Sequence, residues 1–251
     1  MRKSKIILEI CVDSVESAIA AQRGGADRIE LCSALLVGGL SPDSALYHNV
    51  RRHTDLPVRV LLRPRAGDFC YTGYEFDILC DEVRLFRELG ADAVVIGCLT
   101  PDGQIDMERM EKLCDLAGGM DITFHRAFDM VRNADEALEQ IKRLGISTVL
   151  TSGLSADVEK GKDTIHSLIE SAGDKVMIMP GAGVTEKNIG RLAEELPTGA
   201  FHMSAKTLID GSMKYRNPDV SMGNGDISEF TLWRADEEKI RMARRALDKK
   251  G

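Results

Sequence analysis

Two short segments carry an acid and a thiol two residues apart, Glu9 with Cys11 and Glu30 with Cys32. In a β-strand, residues i and i+2 point to the same side, so each pair would present a carboxylate and a sulfur to one face. The same parity aligns Arg59, Leu61 and Arg63, Thr123 with His125, and His202 with Ser204. The intervening residues are apolar, among them Leu8, Ile10, Ile29, Leu31, Val58, Val60, Ile122, Phe124, Phe201 and Met203. Three chemistries are open to such a set. Glu9, Glu30 and His125 suit general acid and base work. Cys11 and Cys32, expected at one level on adjacent strands, offer the sulfur ligands a soft metal ion prefers. Arg63, Arg65 and Arg126, with Asp129, Thr151, Gly181, Gly183, His202 and Ser204, suit a small anionic ligand bearing phosphate or carboxylate. The Gly-x-Gly run at 181–183 stands just ahead of a helix expected to open at Thr185, where free N–H groups would face an anion.

Eight apolar runs, beginning near Ile6, Arg28, Val58, Ala93, Ile122, Thr148, Val176 and Ala200, alternate with amphipathic helical patterns. That alternation implies βαβ units and a parallel sheet. Helix starts are expected at Asp13, at Ser41-Pro42, at Asp106, at Asn133 and at Thr185, and glycines 24–25, 90 and 145 stop helices immediately before a strand. Eight evenly spaced units with no linker favour a closed (β/α)8 TIM barrel, a single domain with the barrel at about 6–206, over an open doubly wound sheet. A tail and C-terminal helix at about 207–251 follow strand eight, with a charged helix expected from about Ala235. Barrel interiors are normally filled by Val, Ile and Leu, so the inward set of acids, bases and thiols is either a ligand site at the C-terminal mouth or a buried ion-pair network.

The chain has 251 residues, 43% of them hydrophobic and 29% charged, and a net charge of −7, which argues against nucleic-acid binding through a dense basic surface. The start Met1-Arg2-Lys3-Ser4-Lys5 is followed by only three apolar residues before Glu9, so neither a secretion signal nor a membrane span is expected. The expected location is the cytoplasm, where the six cysteines would be free thiols.

Taken together, the motifs resemble the CutC family of copper homeostasis proteins. The matching stretches are Leu8-Glu9-Ile10-Cys11-Val12-Asp13-Ser14, Arg28-Ile29-Glu30-Leu31-Cys32, Arg63-Pro64-Arg65-Ala66-Gly67-Asp68-Phe69, Thr123-Phe124-His125-Arg126-Ala127-Phe128-Asp129, Leu150-Thr151-Ser152-Gly153 and Pro180-Gly181-Ala182-Gly183-Val184. Met213-Lys214-Tyr215-Arg216-Asn217 extends the likeness into the tail. The resemblance implies a TIM barrel, a homo-oligomer and a role in copper handling, with Cu(I) held by Cys11 and Cys32. Ala66 departs from the family's Arg-Pro-Arg-Gly-Gly-Asp-Phe pattern and raises the question whether that position needs a glycine backbone. Met213 and Met222 could add thioether contacts if the tail covers the mouth. The residues taken by themselves also fit an enzyme acting on a small anionic substrate, with Lys206 the nearest Schiff-base candidate, and a scaffold remains a third reading.

Overall fold

Short Val/Ile/Leu-rich runs cannot bury both faces alone, and a ring of them covered by helices does so. The computed structural model describes residues 5–220, 222 and 228–249; the basic start at residues 1–4 lies outside the described residues. The strands are β1 (Ile7–Val12), β2 (Arg28–Leu31), β3 (Val58–Leu61), β4 (Ala93–Ile96), β5 (Asp121–Phe124), β6 (Thr148–Thr151), β7 (Met177–Pro180) and β8 (Ala200–Met203). Each is followed by a helix on the outside: α1 (Val15–Gly24), α2 (Ser44–His53), α3 (Gly73–Glu88), α4 (Met107–Ala117), α5 (Ala134–Arg143), α6 (Lys162–Ala172) and α7 (Ile189–Glu195) follow β1 to β7 in turn. All ladders in the eight-stranded sheet are parallel, running from β7 through β1 to β8. β8 lies beside β7, where Thr198 Oγ1 donates to the Ile178 carbonyl, and the ring closes as a (β/α)8 barrel.

The helix-facing residues Leu8, Ile10, Ile29, Leu31, Val58, Val60, Phe124 and Phe201 are fully buried in one apolar shell. With the outward parity consumed by that shell, the inward parity must carry Glu9, Cys11, Glu30, Arg59, Thr123 and His202.

Several helix starts differ from expectation. Ser14, not Asp13, caps α1 by accepting from Ser17 N–H, and Asp43 caps α2 by accepting from Leu46 N–H. Ser41 instead accepts from the Arg63 backbone N–H at 2.8 Å and donates to Glu82. Asp106 and Asn133 cap α4 and α5 as expected. α7 opens at Ile189, four residues beyond Thr185, because Asn188 Oδ1 takes the Thr185 N–H at 2.7 Å and holds the segment in a turn.

The tail is ordered around two strands, β9 (Lys206–Asp210) and β10 (Thr231–Ala235), paired antiparallel, and α8 (Glu237–Asp248). α8 packs on α1 and α7, and its Arg244 reaches the Ile6 carbonyl at 2.9 Å and Asp27 at 2.8 Å. The end of the chain is thereby tied to the strand that begins the barrel. Met213 and Met222 are exposed and lie away from the mouth, so they add no thioether there. Ala66 does not take a positive φ, whereas Gly67 does at +97°; the substitution sits at a position that tolerates a side chain. No helix among the described residues is long and apolar enough to cross a membrane.

Candidate functional site

The inward residues stack in layers. Lowest lies Glu9, 1% exposed, whose register partners are Arg28 on β2 and His202 on β8. Its carboxylate receives Arg28 Nε at 2.5 Å and His202 Nδ1 at 2.8 Å, with Arg59 Nε at 3.8 Å. Burial alone would raise the Glu9 pKa, but the His202 hydrogen bond and the charges of Arg28, His202 and Arg59 overcome it and hold the group at about 2. Arg59 is further engaged by Asp121 at 2.6 Å and by Thr123 Oγ1 at 2.7 Å. This is the ion-pair network the sequence left open, and it occupies the floor. Glu9 does not line the mouth, contrary to expectation; its carboxylate lies below the cavity and holds His202 Nδ1 at 2.8 Å.

One layer up, Cys11 is level with Glu30. Cys11 Sγ donates to Glu30 Oε2 at 3.1 Å and lies 3.7 Å from Cys32 Sγ. Cys32 falls just past the end of β2, so the two cysteines are staggered rather than level, yet their sulfurs meet. Its own thiol faces the Val12 carbonyl at 3.5 Å, under Gly39, where an added Cβ would sit 3.4 Å from Cys32 Cβ. Burial raises the Glu30 pKa, helped by Glu9 and opposed by His202. The contact with Cys32, burial and the Glu30 charge push the Cys11 thiol up. Burial disfavours a charged His202, but Glu30, Cys11 and Glu9 outweigh it and raise its pKa well above the ordinary histidine value. The Cys11 sulfur, a Glu30 oxygen and a His202 ring nitrogen all lie within 4.8 Å of one another.

Above this layer opens a cavity of about 670 Å³ lined by Cys11, Glu30, Arg63, His125, Arg126, Asp129, Gly183, His202 and Ser204 among the expected residues. Glu9, Cys32, Arg65, Thr151 and Gly181 stand outside its lining. Arg63 is buried, stacked on Phe69, and its two terminal nitrogens donate to the carbonyls of Val37, Gly39 and Gly67 at 3.1, 3.2 and 2.7 Å, while its Nε has no partner among the described residues. It laces two loops together. Arg65 turns outward to Glu75 at 2.7 Å and Asp68 at 2.9 Å. Asp129 accepts from Thr151 Oγ1 at 2.5 Å, Ser152 N–H at 2.9 Å and Leu154 N–H at 3.1 Å, which commits both Asp129 and Thr151 to shaping the loop after β6. Gly181 is a close-packing residue, since a Cβ there would meet Leu150 Cδ1 at 2.6 Å. Arg126, paired with Asp129 at 2.8 Å, keeps its side chain 43% exposed at the rim.

His125 accepts from Ala127 N–H at its Nδ1, 3.2 Å away, while its Nε2 is buried without a partner. Burial and the nearby Arg63 charge lower its pKa to about 3. The ring is neutral, and the Nδ1 contact places the proton on Nε2. Two lysines border the cavity: Lys206, which the sequence offered only as a Schiff-base candidate, and Lys239, which it did not single out. Lys206 lines the cavity with its Nζ 3.8 Å from the centre of the Trp233 ring, and Lys239 on α8 lines it while donating to the Lys206 carbonyl at 2.8 Å. Of the apolar walls, Leu61 follows from the inward parity of β3, whereas Leu35 and Phe69 were hidden because their side-chain directions depend on loops. Ala182 and Ala205, with φ of +62° and +46°, both border the cavity, so backbone strain concentrates at this mouth.

The CutC family model matches residues 6–207. The human protein named copper homeostasis protein cutC homolog is 44% identical over 236 residues, covering 94% of this chain and 86% of its own length. The CutC family protein of Chromobacterium violaceum is 42% identical over 97% of this chain and 98% of its own length. The crystal structure of CutC from Streptococcus agalactiae superposes with a TM-score of 0.76 at 29% identity, covering 79% of this chain and 98% of that one. A phosphoribosylanthranilate isomerase from Thermotoga maritima shares the fold alone, with a TM-score of 0.57 at 11% identity over 97% of this chain and 99% of that one. The motifs around Glu9, Cys11, Glu30, Cys32, Arg63, His125 and Gly181 all fall within the matched span, and the chain belongs to the CutC family, the copper homeostasis family of its human relative.

Proposed function

We propose that the protein serves copper homeostasis by binding Cu(I) between the thiolates of Cys11 and Cys32. One observation carries the reading: two buried sulfurs from different strands lie 3.7 Å apart. Cu(I) favours soft sulfur ligands, and with metal–thiolate bonds of roughly 2.3 Å one ion can touch both sulfurs at that separation. The Cys11 thiol must lose its proton to bind metal, and Glu30 Oε2, 3.1 Å from its sulfur, is placed to take it. Cys11 borders the cavity and Cys32 does not, so an ion arriving through the mouth meets Cys11 first. The reading places the protein in the cytoplasm, where thiols persist unpaired. It also takes the protein as a homo-oligomer, for which the exposed register partners Ile209 and Leu232 on one face of the β9–β10 ribbon would supply an apolar contact.

Titration of the reduced protein against a competing Cu(I) chelator tests it. Cys11→Ser with Cys32→Ser is expected to weaken binding by at least about a hundredfold, the upper end of what changes outside the ligand shell cost. Glu9→Gln, a layer below, stays within about tenfold. Unchanged affinity in the double serine variant refutes the thiolate pair.

A further inference from the structure

A second donor set meets in the same layer. Cys11 Sγ lies 3.1 Å from Glu30 Oε2, and His202 Nε2 lies 3.9 Å from that oxygen. All three residues border the cavity. Around a tetrahedral ion with bonds of about 2.0–2.3 Å, neighbouring ligand atoms stand roughly 3.3–3.8 Å apart, so the cluster needs only small adjustments to close on one ion. His202 is oriented for this. Its Nδ1 is held by Glu9 at 2.8 Å, and Glu9 by Arg28 at 2.5 Å, the carboxylate–histidine arrangement that fixes a metal-binding ring and frees the other nitrogen. Once the ion displaces the Cys11 and His202 protons, a thiolate, a carboxylate and a neutral imidazole carry two negative charges, which match a divalent ion and overcompensate a monovalent one. The mixture of sulfur, oxygen and nitrogen donors suits a borderline cation of the Zn²⁺ type rather than Cu(I).

We propose that Cys11, Glu30 and His202 form a three-ligand site for a divalent cation of the Zn²⁺ type, with its fourth position open to the mouth cavity. Three protein ligands with one free position is the arrangement of zinc sites that work on a bound molecule. The cavity of about 670 Å³ is far larger than an ion requires and lies within the range of small-molecule pockets. Arg126, Lys206 and Lys239 at its rim select an oxyanion as the exogenous ligand. The site shares Cys11 with the proposed Cu(I) pair but does not use Cys32, so each can fail without the other.

Metal-free, reduced protein titrated anaerobically with Co²⁺ tests the site, since cobalt reports both sulfur ligation and geometry. The expected result is one Co²⁺ per chain, a thiolate-to-cobalt charge-transfer band, tetrahedral visible bands and displacement by Zn²⁺. Cys32→Ser should leave these spectra intact, whereas Cys11→Ser, a near-isosteric change, should abolish the charge-transfer band. His202→Asn should weaken Co²⁺ binding by roughly tenfold or more without a matching loss of Cu(I) affinity. Added acetate should shift the visible bands by entering the fourth position. Failure to bind Co²⁺, binding without a thiolate band, or loss of that band in Cys32→Ser overturns the ligand set; visible bands that ignore acetate overturn the open position.

Discussion

His125 is held neutral by its surroundings, and that has a thermodynamic cost in acid. Its folded pKa is lowered from 6.5 to about 3, so as the pH falls the unfolded chain takes up this proton first. The stability contribution is complete above about 6.5 and drains away toward about 3, at up to about 1.4 kcal/mol per pH unit. His125→Asn keeps an acceptor for Ala127 N–H and removes the titration. Denaturant unfolding measured through this range is expected to show a shallower decline for the variant, and equal slopes would mean that native His125 is already protonated. At this scale, strand parity made Cys11, Glu30, His125 and His202 legible from the sequence, because alternation is a property of any strand. Depth and engagement were not legible. Glu9 and Glu30 occupy the same parity, yet only the stagger of β1 against β2 and β8 puts one on the floor and the other at the mouth. Nor did the sequence show that Arg63 ties down loop carbonyls through both terminal nitrogens while its Nε stays without a partner among the described residues.

Among the elements, the strands were found within one residue of where the apolar runs begin and the C-terminal helix within two, whereas the loops and the β9–β10 ribbon were not foreseen. α7 starts late through a side-chain turn at Asn188, and the weakly periodic stretch after β8 begins and ends in a paired ribbon whose register no local pattern announces. The docking of α8 can be probed at Gly24, the last residue of α1, where an added Cβ would fall 2.6 Å from Ile240 Cβ and 2.9 Å from the Glu237 carbonyl. Gly24 has no positive φ, so alanine is opposed by space rather than by backbone. Gly24→Ala is expected to cost about 1–3 kcal/mol through overpacking, read as a lower denaturant midpoint. A midpoint equal to that of the parent would place α8 farther from α1 than described. Since Lys239 rides on α8, displacing the helix also reshapes the cationic rim.

For the molecule as a whole, a net charge of −7 contrasts with a mouth bordered by Arg126, Lys206 and Lys239 beside Asp129 and Glu186, and an anionic ligand there would follow only from the proposed site. If Cys32 is a copper ligand as proposed, the cover over it would bear on the timing of release as well as on affinity. That thiol is fully buried under the loop that includes Leu35 and Gly39, and the loop is pinned by Arg63. If Cu(I) binds between the two sulfurs as proposed, release toward the cavity at Cys11 would still require the Cys32 bond to break beneath this loop, and loop opening would set the rate. Stopped-flow removal of Cu(I) is expected to reach a ceiling as chelator concentration rises, and Arg63→Gln, by unpinning the loop, to raise the ceiling. A rate that climbs in proportion to chelator without limit would mean that the ion is open to direct attack. Held this way, copper would depart on a clock wound by the fold and indifferent to how strongly the surroundings ask for it.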